Sequence, residues 1–79
     1  MKALFTDRFH RSFADAPEEI KKAFDKQLSY LLQDLRHPSI RAKKYDVTRW
    51  QGRVTRGWRF YFRIEGDTYV ILDIIAHPK

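Results

Sequence analysis

The stretch "WRFYFRI", residues 58 to 64, alternates with a period of two and constrains this chain more than any other segment. Trp58, Phe60, Phe62 and Ile64 fall on one side of a strand; Arg59, Tyr61 and Arg63 fall on the other. A slip of one residue would drive Arg59 into the core, so the pairing is tightly specified. "EGD" follows as a turn, and "TYVILDIIA" as a strand rich in β-branched residues. "TRG" is a second turn, leading back to a strand near residues 49–55. With three-residue loops at both turns, Arg53 lies opposite Arg59, Arg59 opposite Asp73, Phe60 opposite Leu72 and Phe62 opposite Val70. The face away from the phenylalanines then carries Arg53, Arg59, Tyr61, Arg63, Tyr69, Asp73 and, if the last strand continues, His77.

Upstream the period is helical. Phe5, Phe9 and Phe13 recur every fourth residue, with Thr6 as a cap. "DAPEE" closes that helix and opens a second, because proline suits a first turn and Glu18 and Glu19 favour the positive end of the helix dipole. Ile20, Phe24, Leu28, Leu31, Leu32 and Leu35 form an apolar stripe from about 17 to 35, which "RHPSI" ends at Pro38. Two helices followed by an antiparallel meander make an α+β domain: two N-terminal helices packed on a twisted antiparallel β-sheet. Seventy-nine residues, 43% hydrophobic and 15% aromatic, suffice for one such domain spanning 1–79, near the lower limit of an independent core.

Charge is concentrated in one block. Residues 36 to 63 hold nine lysines and arginines against a single acid, Asp46, whereas residues 1 to 35 are neutral and residues 64 to 79 acidic. Cations interleaved with aromatics attract phosphates and gain from counterion release on nucleic acid. Without cysteine there is no disulfide or thiolate chemistry, and a reducing compartment fits. No apolar run approaches the ~20 residues of a membrane span, and "MKALFTDRFH" meets a charge before a signal-like core, so the expected setting is cytoplasmic. His10, His37 and His77 lack metal-ligand spacing, and three scattered glycines make no phosphate loop, so neither a metal nor a cofactor is expected.

In order along the chain come "FTDRFHRSF…APEEIKKAF", the link "HPSIRAKKY", the run "WQGRVTRGWRFYFRIEGDTYVILDII" and the closing "AHPK". Taken together this series resembles the RelE/ParE superfamily of toxins from toxin–antitoxin systems, over essentially the whole chain. The resemblance implies the RelE/ParE toxin fold, a cognate antitoxin that covers the basic face, and, for the nuclease members, cleavage of mRNA on the ribosome. The ParE-like branch implies inhibition of DNA gyrase instead, and a non-catalytic relative would only bind its antitoxin.

Metal-free RNA cleavage by 2′-hydroxyl attack needs a base, an acid for the leaving oxygen, and positive charge at the phosphorane. The resemblance assigns the last task to Arg59, in the "GWR" motif, and to Arg53 on the preceding strand. It makes His77 the general acid, and a histidine can both give and take a proton near neutral pH. Arg41, Lys43, Lys44, Arg56 and Tyr61 are the expected RNA contacts. The plainer alternative for Arg59 is a cross-strand ion pair with Asp73. His37 reads mainly as part of a structural link, and Trp58 as core. No clear glutamate base stands just before Trp50, and Asp46 is the only acid nearby, so the general base is left unassigned.

Overall fold

A computed structural model describes residues 1–77; Pro78 and Lys79 of the closing motif lie outside the described residues. The chain runs β1 (Lys2–Phe5), α1 (Asp7–Ala14), α2 (Glu18–Gln33), β2 (Lys43–Lys44), β3 (Trp50–Thr55), β4 (Trp58–Glu65) and β5 (Thr68–Ala76). The sheet order is β1-β5-β4-β3-β2. Strands β2 to β5 are antiparallel to their neighbours, but β1 runs parallel to β5, so the sheet is mixed rather than wholly antiparallel. Four residues are too few to display alternation, and Phe5, read above as helical, ends this strand.

The helices form where their signals lie. The Thr6 hydroxyl accepts from the Phe9 N–H (3.1 Å), closing the first turn of α1. Helix α2 presents Ile20, Phe24, Gln27 and Leu31 to the sheet, while Leu32 is half outside. The core is a relay of aromatic rings. Phe9 meets Phe24 at 5.1 Å between centroids, Phe24 meets Phe60 edge-on at 5.3 Å, Phe60 stacks on Phe62, and Phe62 meets Tyr69 edge-on. Such offset and edge-on contacts add about 0.5–1.5 kcal/mol each beyond area burial. Trp50 and Trp58 pack against this cluster, as their parity requires. Gly52 lets Phe60 lie across β3: a Cβ there would sit 2.5 Å from the ring.

Both hairpin turns are tighter than three residues. Gly66 and Asp67 alone join β4 to β5, with Gly66 supplying the positive φ (59°) that the turn needs. Arg56 and Gly57 join β3 to β4, and an irregularity between Arg53 and Thr55 keeps Arg53 opposite Arg59 as expected. A bulge on β5 adds a second shift: Phe62 pairs with Ile71 but Tyr61 with Asp73, leaving Leu72 extra. Thr6 braces it, its N–H donating to the Ile71 carbonyl (3.1 Å) and its hydroxyl to that of Leu72 (3.0 Å).

The consequences correct the expected register. Arg59 lies opposite Ile75, Phe60 opposite Ile74 and Phe62 opposite Ile71. The two one-residue shifts sum to a full period beyond the bulge, so Asp73 keeps its face. Before it only one shift has accrued, so Tyr69, expected beside the arginines, turns into the core at 4% exposure.

Candidate nucleic-acid interface

The face of the sheet away from the helices holds a cleft of about 300 Å³ lined by Arg41, Lys43, Gln51, Arg53 and Arg59. Four cations, from the link, β2, β3 and β4, thus share one concavity. Strand pairing explains it: Arg53 faces Arg59, Gln51 faces Tyr61, and Lys43 faces Gln51. The link from α2 adds Arg41.

Arg53 is held through its backbone and Arg59 through its fork. The Arg53 N–H donates to the Ile40 carbonyl (2.7 Å), and its carbonyl accepts from the Gln27 amide (2.7 Å). The same amide donates to the Ser39 carbonyl (2.8 Å), and the Ser39 hydroxyl donates back to Gln27 Oε1 (2.7 Å). Gln27 is therefore a buried clamp joining α2, the link and β3. Arg41 follows the fully buried Ile40 and takes a left-handed backbone conformation (φ 49°), uncommon for a residue with a side chain. The Arg59 guanidinium donates from Nη1 to the carbonyls of Thr55 (2.6 Å), Trp58 (3.0 Å) and Arg56 (3.2 Å), which leaves its other nitrogens for the cleft.

The cations are left without acids. Among the described residues the ion pairs are Arg8–Asp73, Arg49–Asp46 and Arg63–Glu65; none includes Arg41, Lys43, Lys44, Arg53, Arg56 or Arg59. The alternative pairing of Arg59 with Asp73 does not form, because the register moves Asp73 opposite Tyr61 and Arg8 takes its carboxylate. Burial first, then the like charges of Arg41, Arg59 and Arg56, pull the pKa of the Arg53 guanidinium below its ordinary value. A cluster like this is primed for an anion that relieves the repulsion.

The remaining expected residues lie outside the cleft. Lys44, exposed on β2, pairs with the core-packed Trp50 and so takes the opposite face of the strand from Lys43, which corrects its expected place among the RNA contacts; Arg56 is exposed in the β3–β4 turn. Tyr61 lies beside the cleft rather than in it, its hydroxyl accepting from the Gln51 amide (3.0 Å). His77 is exposed just beyond β5, and its N–H donates to the Gly57 carbonyl (2.7 Å). His77 and the Arg59 fork are thus both anchored on the turn 55–58. His37 is engaged in the link: it stacks on Tyr30 at 4.0 Å, and Nδ1 accepts from the Ser39 N–H (3.2 Å). Asp46 is committed too. Hydrogen bonds from the Arg49 side chain and backbone, then from the Thr48 N–H, hold its pKa down to about 2. It organises the loop before β3 and stays ionised at neutral pH.

Gln27 and Gln51 escaped the reading of the sequence. A polar residue three positions after Phe24 and four before Leu31, on the buried stripe, was the available signal for Gln27. Gln51 could be found only through the parity of β3.

No family model matches the chain, and a search of curated proteins finds no match. Solved structures do match in fold. A YoeB/ParE toxin from Agrobacterium tumefaciens superposes with a TM-score of 0.82 at 13% identity, covering 99% of this chain and 100% of that one. The isolated RelE toxin of Escherichia coli gives 0.79 at 11% identity, over 99% of this chain and 85% of that one. A chain of the RelBE2 toxin–antitoxin complex of Mycobacterium tuberculosis gives 0.73 at 20% identity, over 98% and 96%. This chain has the RelE/YoeB toxin fold.

Proposed function

We propose that this protein is the toxin of a toxin–antitoxin pair and an endoribonuclease that cuts mRNA on the ribosome. The observation that carries it is the convergence of Arg41, Lys43, Arg53 and Arg59 on one cleft without a partner acid among the described residues. The shared fold with RelE and YoeB toxins supports it.

In this reading the scissile phosphate sits in the cleft. The 2′-oxygen attacks phosphorus as its proton passes to solvent water, and the P–O5′ bond breaks. Arg59 and Arg53 meet the negative charge that develops on the phosphorane, each fork giving two donors that stay charged at neutral pH. His77, in its protonated form, gives a proton to the departing 5′-oxygen. The products are a 2′,3′-cyclic phosphate and a 5′-hydroxyl, and the step needs no metal. Arg41, Lys43 and Arg56 hold flanking phosphates, and Tyr61 adds an aromatic contact. The cognate antitoxin neutralises the protein by covering the basic face, where an acidic segment complements the charge. The setting is the cytoplasm, where its RNA and ribosomes are.

Inducible expression in a bacterial host, with primer extension on reporter mRNA, tests this. Wild type stops growth and yields discrete cuts ending in cyclic phosphate. Arg59→Ala lowers cutting roughly 10²–10³-fold, the usual loss of one transition-state donor, and His77→Ala roughly 10²–10⁴-fold. Equal growth arrest by all three proteins with intact mRNA overturns the nuclease. DNA breaks in that case identify a gyrase inhibitor, and unimpeded growth identifies a protein that only binds its antitoxin.

A further inference from the structure

A second and larger hollow, about 490 Å³, borders the cationic cleft on the same sheet face. Thr6, Arg8, Tyr45, Arg49, Tyr61, Leu72, Asp73 and Ile75 line it; its size is ordinary for a small-molecule site, roughly 300–1,000 Å³. The two concavities meet at one hydrogen bond, Gln51 to Tyr61, since Gln51 lines the cleft and Tyr61 the hollow. Arg59 and its cross-strand partner Ile75 straddle the same boundary.

The chemistry of the hollow differs from that of the cleft. Its two cations are already neutralised, Arg49 by Asp46 at 2.7 Å and Arg8 by Asp73 at 3.1 Å. It has no surplus charge for a phosphate. What it offers is ring surface: Tyr45 and Tyr61 meet edge to face at 5.2 Å and 74°, and the Arg49 guanidinium lies 5.2 Å over the Tyr45 ring. Tyr45 is 53% exposed and Ile75 38%, so apolar surface is left uncovered there. The Asp73 carboxylate closes one wall. Its Oδ1 accepts from the Ile74 N–H and its Oδ2 from Arg8 Nε, about half of a carboxylate's acceptor capacity.

We propose that this hollow is a nucleobase pocket. It takes the base of the nucleotide next to the phosphate in the cleft, with the ring against Tyr45 and Tyr61 and an exocyclic amino group donating to Asp73. The geometry fits one nucleotide step: the Arg53–Arg59 pair and the Gln51–Tyr61 pair are two strand positions apart, about 7 Å. Aromatic platforms beside a cationic track are how single-stranded nucleic acid is held. Bases with an amino group bind better than uracil, which has none. The proposal rests on the reading that the cleft holds an RNA phosphate.

The test uses the whole chain and RNA trinucleotides with a 2′-deoxy sugar at the cut position, which bind but are not cleaved. Affinities come from NMR titration. An otherwise identical trinucleotide with one abasic position, and inorganic pyrophosphate, serve as controls. Tyr45→Ala, in an exposed loop, is expected to weaken the trinucleotide about tenfold and to leave the abasic trinucleotide and pyrophosphate unchanged. Asp73→Asn is expected to narrow the preference for adenine or cytosine over uracil at that position. Arg53→Ala is expected to weaken all three ligands. If Tyr45→Ala binds the trinucleotide like wild type, or loses the abasic ligand equally, the pocket is overturned while the cleft stands. If Arg53→Ala changes nothing, the cleft itself is overturned.

Discussion

Strand β4 solves two different problems on alternate residues. Toward the helices, Phe60 and Phe62 are fully buried and joined by ring contacts to Phe24 and Tyr69. Toward the other side, Arg59, Tyr61 and Arg63 stay half exposed around two concavities. On the first face each group has partners of its own kind, and every contact favours folding. On the second, Arg41, Lys43, Arg53 and Arg59 gather like charges with no acid among the described residues to offset them. Mutual repulsion does not favour the folded state, so the arrangement is retained for something the fold does not itself supply. One face holds the molecule together, and the other is held together by it.

That contrast breaks most sharply at Phe60. Phe60→Ala is expected to cost about 3–5 kcal/mol, a large part of the ~5–15 kcal/mol available to a small domain. Arg53→Ala, on the opposite face of the same sheet, is expected to shift stability by less than about 1 kcal/mol. Urea denaturation measures both. If the charge removal proved the costlier change, the division of labour between faces would be wrong.

Gln27 sharpens the comparison because it reaches from the core side to the cleft. Gln27→Leu removes the donor to the Ser39 and Arg53 carbonyls and is expected to cost about 1–3 kcal/mol. It is also expected to weaken pyrophosphate binding severalfold, since Arg53 and the Arg41 link lose their common clamp. Stability lost with unchanged pyrophosphate affinity would show that Gln27 serves the core alone.

The smallest effect belongs to Arg41, whose left-handed backbone glycine adopts freely. Arg41→Gly relieves about 1–2 kcal/mol of local strain but adds flexibility to the unfolded chain, so a net gain under about 1 kcal/mol is expected. Anion affinity should fall at the same time. A lower urea midpoint would mean that the side chain of Arg41 contributes to folding as well as to binding.

Much of this was legible before any coordinates. The alternation of residues 58 to 64 separated Phe60 and Phe62 from Arg59 and Tyr61, and the Thr6 cap and both helices lie where their signals are. The shared face of Arg53 and Arg59 was also readable, because the pleat leaves two parities and the wrong one buries a cation; their direct opposition rests instead on the irregularity between Arg53 and Thr55, which offsets the shorter turn. Less visible were strand β1, too short to show a period, and the bulge at Leu72, which nothing in "VILDII" announces. Thr6, near the other end of the chain, braces the bulge through the Ile71 and Leu72 carbonyls.

Local pattern thus determined which residues share a face along the helices and β4, because side-chain direction there repeats over a few residues; along β5 the bulge breaks that repeat and turns Tyr69 inward. Tertiary structure decided which faces meet, how the register slides, and where hollows open. Those outcomes depend on contacts between residues far apart in the chain: Thr6 with Leu72, Gln27 with Arg53, and Arg8 with Asp73, which leaves Arg59 free of that acid.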